Sequence, residues 1–293
     1  MYEVIDVSPD NLGELKPFIA FDVFYKCMTH AYQNAIVLAA CFLNEPVGVI
    51  IADRKGKGSS AELCYLFVRK KYRRLGIASL LLQSLEDRLI DQDCQWLTVR
   101  YIKDENSLPL KQWLERSGFS SEATDMHIFR GSLLPEYRNL PFIRMSQLPK
   151  SFTIFPWRTL SDTERDQLRK GENQWYPDYL SPFKEAYKVD MKTSVGLRYR
   201  SEVVGWLITH KTPVHALEYA KLFTRREFQS FGRGIALIGK AMTAQLKHFQ
   251  PVPDVYFRVS VHNKRMLQFI EKRILPHVDL ACSKRCQARK KLA

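Results

Sequence analysis

The chain spells one unusual segment twice. Arg73-Arg74-Leu75-Gly76-Ile77-Ala78 recurs, 156 residues later, as Gln229-Ser230-Phe231-Gly232-Arg233-Gly234. Both copies have the form (Arg/Gln)-x-x-Gly-x-(Gly/Ala), and each stands between an apolar strand pattern and an amphipathic helix pattern. A strand–loop–helix unit present twice predicts two related domains of the α/β class. Glycine lets such a loop turn and approach a ligand closely. The first turn of the next helix offers N–H groups without intrahelical partners, and a dipole that favours negative oxygen. Each copy therefore reads as a phosphate-binding loop that needs no special side chain.

The flanking patterns repeat in the same order. In the first half, residues 2–7 read as a strand and 12–29 as mainly helical. Residues 35–43 and 47–53 read as strands joined by a turn at Asn44-Glu45-Pro46, and Gly56 and Gly58 mark a loop. A strand at 61–68 leads into the first loop. A helix at 77–89 follows, with leucines at helical recurrence, then a strand at 95–102, a helix at 108–114 and a strand at 125–129. The second half gives a strand at 152–155, a polar helix near 162–169, a hairpin at 194–199 and 203–209, and a strand at 217–224. Helices at 235–246 and 264–273 flank a strand at 255–261. Pro135, Pro141 and Pro149 interrupt the stretch between the halves. The expected division is residues 1–133, a linker at 134–150, and residues 151–293.

At 293 residues the chain has room for two domains, and 45 % hydrophobic with 26 % charged residues marks it as globular. It lacks an apolar run long enough to cross a bilayer and begins without a signal-peptide pattern, so the expected location is cytoplasmic with no membrane partner. The six cysteines form no CxxC, and no metal site is expected. The formal charge of +14 attracts polyanions. Its Lys70-Lys71 and Arg225-Arg226 clusters immediately precede the glycine loops, which favours a phosphate-bearing small molecule. The basic end at 284–291 reads as a solvated terminus, and no nucleic-acid module accompanies it.

With loop, helix and strand in this order, the chain resembles the GNAT superfamily of acetyl-CoA-dependent N-acyltransferases, present twice. The segments that carry the resemblance run from Phe67 to Ala78 and from Phe223 to Gly234, with Asn106 and Asn263 after the next strand and Gly118-Phe119 closing the first copy. Ile274-Leu275-Pro276 departs from that close in the second. The resemblance implies two tandem GNAT-like domains, each a central mixed, mostly antiparallel sheet flanked by helices. It also implies coenzyme A and acetyl-CoA as ligands. The cofactor-binding residues it implies are Leu66, Phe67, Val68, Arg73, Arg74, Leu75, Gly76, Ile77, Ala78 and Asn106 in the first half. In the second they are Leu222, Phe223, Thr224, Gln229, Ser230, Phe231, Gly232, Arg233, Gly234 and Asn263.

Direct acyl transfer to an amine needs a neutral nitrogen, stabilisation of the developing oxyanion and a path for protons. Glu62 and Glu218, also 156 residues apart, each stand six positions before the strand end that leads into the loop. The resemblance implies a general-base role for both. Strand alternation places Glu62 on one face with Cys64 and Leu66, and Glu218 with Ala220 and Leu222. A tyrosine on the thiol side is missing, since Trp113 and Ile270 stand at the corresponding spacing from Asn106 and Asn263. Trp175, Tyr176, Tyr179 and Tyr187 suggest an acceptor pocket in the second half, which tips the expected activity there. The expected substrate is an amine on a small metabolite, amino acid or peptide. The alternatives are a non-catalytic acyl-CoA-binding or interaction module, and nucleic-acid binding through the basic surface.

Overall fold

The computed structural model describes residues 2–28, 34–54, 59–104, 107–120, 123–144, 148–212, 215–229 and 232–292. Gly56, Gly58, Asn106, Ser230 and Phe231 lie outside the described residues. The chain divides into two compact units. Unit 1 comprises Met1–Asp125 with Lys284–Ala293, and unit 2 comprises Met126–Ser283.

In unit 1 the strands β1 (Glu3–Asp6), β2 (Ala35–Phe42), β3 (Glu45–Arg54), β4 (Ser60–Val68) and β5 (Trp96–Lys103) lie side by side in chain order, and β12 (Ala281–Lys291) follows β5. All neighbours are antiparallel except β4 and β5. The predicted N-terminal helix is instead a 3-10 stretch at Pro9–Phe18 followed by the short helix α1 (Phe21–Met28). Pro17 explains the difference, because it removes an amide donor and clashes with the preceding helical turn. Helix α2 (Ile77–Ile90) buries Leu81, Leu85 and Leu89 on one sheet face, and the 3-10 stretch with α1 buries Leu12, Leu15 and Val23 against Val49 and Ile51 on the other. Helix α3 is Leu108–Arg116.

Unit 2 repeats the plan with β7 (Phe152–Pro156), β8 (Val195–Tyr199), β9 (Glu202–Lys211), β10 (Ala216–Thr224) and β11 (Asp254–Ser260), and β6 (Ala123–Gly131) pairs with β11. Here β10 and β11 are the parallel pair. Helix α6 (Arg233–His248) packs Leu237 and Ala241 against Leu197, Val204 and Leu207. The opposite face carries helix α5 (Asp162–Gly171) and an aromatic cluster of Trp157, Tyr176, Trp206 and Phe223. Helices α4 (Pro141–Arg144) and α7 (Lys264–Phe269) complete the unit. No helix among the described residues is long and apolar enough to cross a membrane.

Two boundary expectations change. Residues Met126–Gly131 of β6 pair in register with Ser260–Val255, so the strand read as the close of the first half extends the sheet of the second. In turn, β12 runs from Lys284 opposite Lys103 to Lys291 opposite Trp96, and completes the sheet of unit 1. The compact division thus falls at 125/126 and 283/284 rather than within 134–150. The physical reason is that β5 and β11 each need a strand on their outer edge, and alternation alone cannot say which segment supplies it. The basic end is likewise no solvated terminus. Its Cys286 and Ala288 are buried, Arg285 bonds Asp125 through two nitrogens at 3.0 and 2.8 Å, and Lys290 bonds Glu86 at 2.6 and 2.8 Å.

Candidate functional site

Each parallel pair holds together only at its start. Ser60–Leu63 face Trp96–Val99 in unit 1, and Ala216–Glu218 face Asp254–Tyr256 in unit 2; beyond these residues the strands part. A bulge marks the parting in both units. Ile51 pairs with Tyr65 and Ala52 with Leu63, which leaves Cys64 as the extra residue; likewise Thr209 pairs with Tyr219 and Ile208 with Lys221, which leaves Ala220. A bulge inserts one residue and reverses the alternation after it. Glu62 therefore shares its face with Tyr65 and Phe67 rather than with Cys64 and Leu66, and Glu218 shares its face with Lys221 and Phe223 rather than with Ala220 and Leu222.

The glycine loops follow the strand ends. Gly76 at φ +79° and Gly232 at φ +73° are left-handed residues that cap α2 and α6. Nothing lies within 4 Å of a Cβ built at Gly76, so the backbone there is open to a ligand. The first loop residue acts as a staple. Arg73 Nε donates to the Val68 carbonyl at 3.0 Å, and Gln229 Nε2 donates to the Thr224 carbonyl at 3.0 Å. Arg74 is exposed in a left-handed conformation, Leu75 is exposed, and Ile77 anchors α2 in the core. Arg233 lies over the Phe152 ring at 4.3 Å, so its guanidinium is engaged within the unit rather than standing out as a phosphate arm. Asn263 caps α7 by accepting the Met266 amide at 3.1 Å.

Both glutamates meet an arginine on the neighbouring strand, two residues beyond their register partner. Arg100 Nη1 lies 2.6 Å from Glu62 Oε1, and Arg258 contacts Glu218 Oε1 through Nη2 and Nε at 2.5 and 2.7 Å. The arginines were missed in the sequence, although their equivalent places on the two strands were a readable signal. Also missed was the polar group buried behind Glu218. His210, opposite Glu218 on β9, is 1 % exposed, and among the described residues neither ring nitrogen has a hydrogen-bond partner. Burial pushes its imidazole down to about 4. Lys221 donates to the carbonyls of Ser181 and Lys184 at 2.8 and 2.6 Å, and burial lowers its ammonium to about 8.

Unit 2 holds a cavity of about 790 Å³ at the parting of β10 and β11. Ala220, Leu222 and Asn263 line it, with Ile238 and Met242 of α6, Tyr179 and Leu180 on the other sheet face, and Arg258. Of the four aromatics expected around an acceptor, Tyr179 lines this cavity and Tyr187 is half-exposed elsewhere. Trp175 and Tyr176 instead pack in the aromatic cluster, where the Tyr176 hydroxyl donates to the Leu168 carbonyl at 2.7 Å. In unit 1 the indole of Trp113 on α3 donates to Ser79 Oγ in the first turn of α2 at 3.3 Å, which ties the two helices together.

Residues 2–119 match the sequence profile of the Acetyltransferase (GNAT) family. The tandem GNAT protein from the clavulanic acid biosynthesis pathway, solved without acetyl-CoA, superposes over 100 % of this chain and 99 % of its own at a TM-score of 0.75 with 12 % identity. The chain carries the GNAT fold. Two further structures agree. A GCN5-related N-acetyltransferase from Sphaerobacter thermophilus covers 99 % of this chain and 96 % of its own (TM-score 0.62, 15 % identity). The glucosamine N-acetyltransferase region of a fungal β-N-acetylglucosaminidase covers 98 % of this chain and 38 % of its own (TM-score 0.67, 16 % identity). No curated protein matches the chain in sequence. The likeness is one of fold, and the parted strands, bulges and glycine-capped helices described above occur in both units.

Proposed function

We propose that the chain is an acyl-CoA-dependent N-acyltransferase, located in the cytoplasm, that works at unit 2 on a small amine or peptide by direct transfer. The observation that carries the reading is the cavity at the parting of β10 and β11, which is lined from the α6 face by Leu222 and from the other face by Tyr179, Leu180 and Arg258, the partner of Glu218. The residues present fit coenzyme A. The amides around Gly232 and the positive end of α6 suit a diphosphate, and the cavity begins beside Leu222. When bound, the thioester would supply an activated acyl carbon. Backbone amides of Leu222–Thr224 would polarise its carbonyl oxygen, and an acceptor nitrogen would enter from the face of Tyr179, Leu180 and Arg258. Arg258 holds Glu218 by Oε1, which orients the carboxylate to receive the amine proton directly or through water. Water would return a proton to the departing thiolate. Tyr219, one of the tyrosines that line the cavity, is unsuited to that step, because its hydroxyl already bonds Gln245 Oε1 at 3.0 Å and burial raises its pKa.

Unit 1 is read as a scaffold, in which the Trp113–Ser79 bond ties α3 to the first turn of α2. Calorimetric titration of the full chain with acetyl-CoA should therefore give one site per chain, lost in Gly232→Val because a β-branched residue resists a positive φ. Saturable binding that persists in that variant overturns the assignment to unit 2.

A further inference from the structure

We propose that the unit 2 cavity holds the hydrocarbon chain of a medium-chain acyl-CoA, a linear acyl group of about eight carbons, rather than acetyl alone. This rests on the donor-site reading above. The cavity does not stop at the bulge. On the α6 face it runs back from Leu222 past Tyr219 to Val255, and is bounded there by Met242, Leu133 and Tyr137. Three residues of strand span about 10 Å. An extended chain of 1.5 Å carbon–carbon bonds needs about eight carbons to cover that length.

The walls of this branch suit hydrocarbon. Two of its three hydroxyls, those of Tyr219 and Ser132 but not of Tyr137, have hydrogen-bond partners among the described residues. The Tyr219 hydroxyl bonds Gln245, Gln245 Nε2 bonds the Pro253 carbonyl at 2.7 Å, and Ser132 Oγ bonds Asp254 at 3.0 Å. A sugar or carboxylate placed here would lose its water for few new partners, whereas an alkyl chain loses nothing. Nor is the space a feature of the fold as such. At the equivalent place unit 1 sets Lys290 opposite Leu97 and pairs its ammonium with Glu86 on α2. Unit 2 sets Gly131 opposite Val255 and has Met242 where unit 1 has Glu86, 156 residues earlier. A charged pair in one copy gives way to apolar residues in the other, where Asp279 and Leu280 pack beside Gly131 and Met242 lines the cavity.

The donor, not the acceptor, is the occupant. The branch lies on the face of α6, whose N-terminus faces the phosphates, while Glu218, Arg258, Tyr179 and Leu180 stand on the opposite face. The acyl carbon at the parting of the strands is where the two sides meet.

The test is calorimetric titration of the full chain with coenzyme A, acetyl-CoA and octanoyl-CoA. Each fully buried methylene contributes about fourfold in affinity, so octanoyl-CoA should bind at least about tenfold more tightly than acetyl-CoA even if only two methylenes are buried. Met242→Glu, which installs the unit 1 carboxylate, should bring the octanoyl-to-acetyl ratio close to one. Met242→Trp, which fills the branch without charge, should do the same if the first variant folds poorly. If acetyl-CoA binds and octanoyl-CoA binds no better, this inference falls and the donor site stands. If neither ester binds, both fall. A preference for octanoyl-CoA that survives both folded variants removes the chain from this cavity.

Discussion

Glu218 and His210 face each other across two strands, and each makes a prediction at the scale of one side chain. Glu218 is 8 % exposed and holds Arg258. Replacing it by glutamine takes away both a proton acceptor and the charge that balances a guanidinium. General-base help is worth about 10²–10⁴-fold, so Glu218→Gln should lower kcat by about a hundredfold or more in steady-state assays with a working amine. A loss of less than about tenfold would remove the carboxylate from the proton path. For His210 the effect is on stability. Glu185, Lys221, Lys188 and Arg258 surround the imidazole, and burial outweighs the pull of Glu185. The unfolded side chain takes up its proton near 6.5 and the folded one only near 4, so the unfolded state binds more protons between those values. Stability from the neutral ring is complete above about pH 6.5 and declines as the pH falls to about 4, by up to about 3 kcal/mol. Urea denaturation across that range should show the decline, and His210→Phe should flatten it. An equal slope in both proteins would refute the assignment.

At the scale of elements, the strand–loop–helix repeats were legible because their signals are local. Apolar alternation and leucine recurrence mark strand and helix, and a left-handed cap selects glycine at 76 and 232. The bulges at Cys64 and Ala220 were not legible, since an extra residue in an apolar run leaves no mark until register with the neighbouring strand is known. That single residue moved the expected faces of Glu62 and Glu218. Trp175 and Tyr176 misled for a related reason, as aromatics with polar tips read alike whether they frame a ligand or pack on Trp206. Helix α5 shows a local signal extended by tertiary structure. Ser161 and Glu164 form a capping box, and Glu164 also grips Arg198 of β8 at 2.6 and 3.0 Å. The Arg198 guanidinium and the Ser161 amide hold the Glu164 carboxyl down to about 2. Glu164→Ala removes cap and grip together and should cost about 1–3 kcal/mol at neutral pH by chemical denaturation. Stability unchanged within error would mean α5 is held by its apolar face alone.

At the scale of the whole molecule, the chain order of the strands is not the order in which they complete sheets. The basic end reads in sequence as a solvated terminus, because its alternation of buried Cys286 and Ala288 with charged residues is masked by density of charge. What keeps β12 in unit 1 is specific. Leu292 and Cys286 enter the core of α2, Arg285 answers Asp125, and Lys290 answers a Glu86 that is only 7 % exposed. A fragment cut at residue 133 lacks all of this. It leaves the outer edge of β5 without a partner and a nearly buried carboxylate without its cation, a loss of about 3–5 kcal/mol for the latter alone. Against a typical domain stability of about 5–15 kcal/mol, that deficit together with the lost apolar burial should leave the fragment largely unfolded or self-associated. A synthetic peptide of residues 281–293 added in trans should restore a cooperative melt by circular dichroism, and the same peptide carrying Lys290→Glu should fail to do so because it sets a second carboxylate against Glu86. A fragment that melts cooperatively without the peptide would show instead that unit 1 is complete within its own continuous stretch, and that β12 serves it only as a cover.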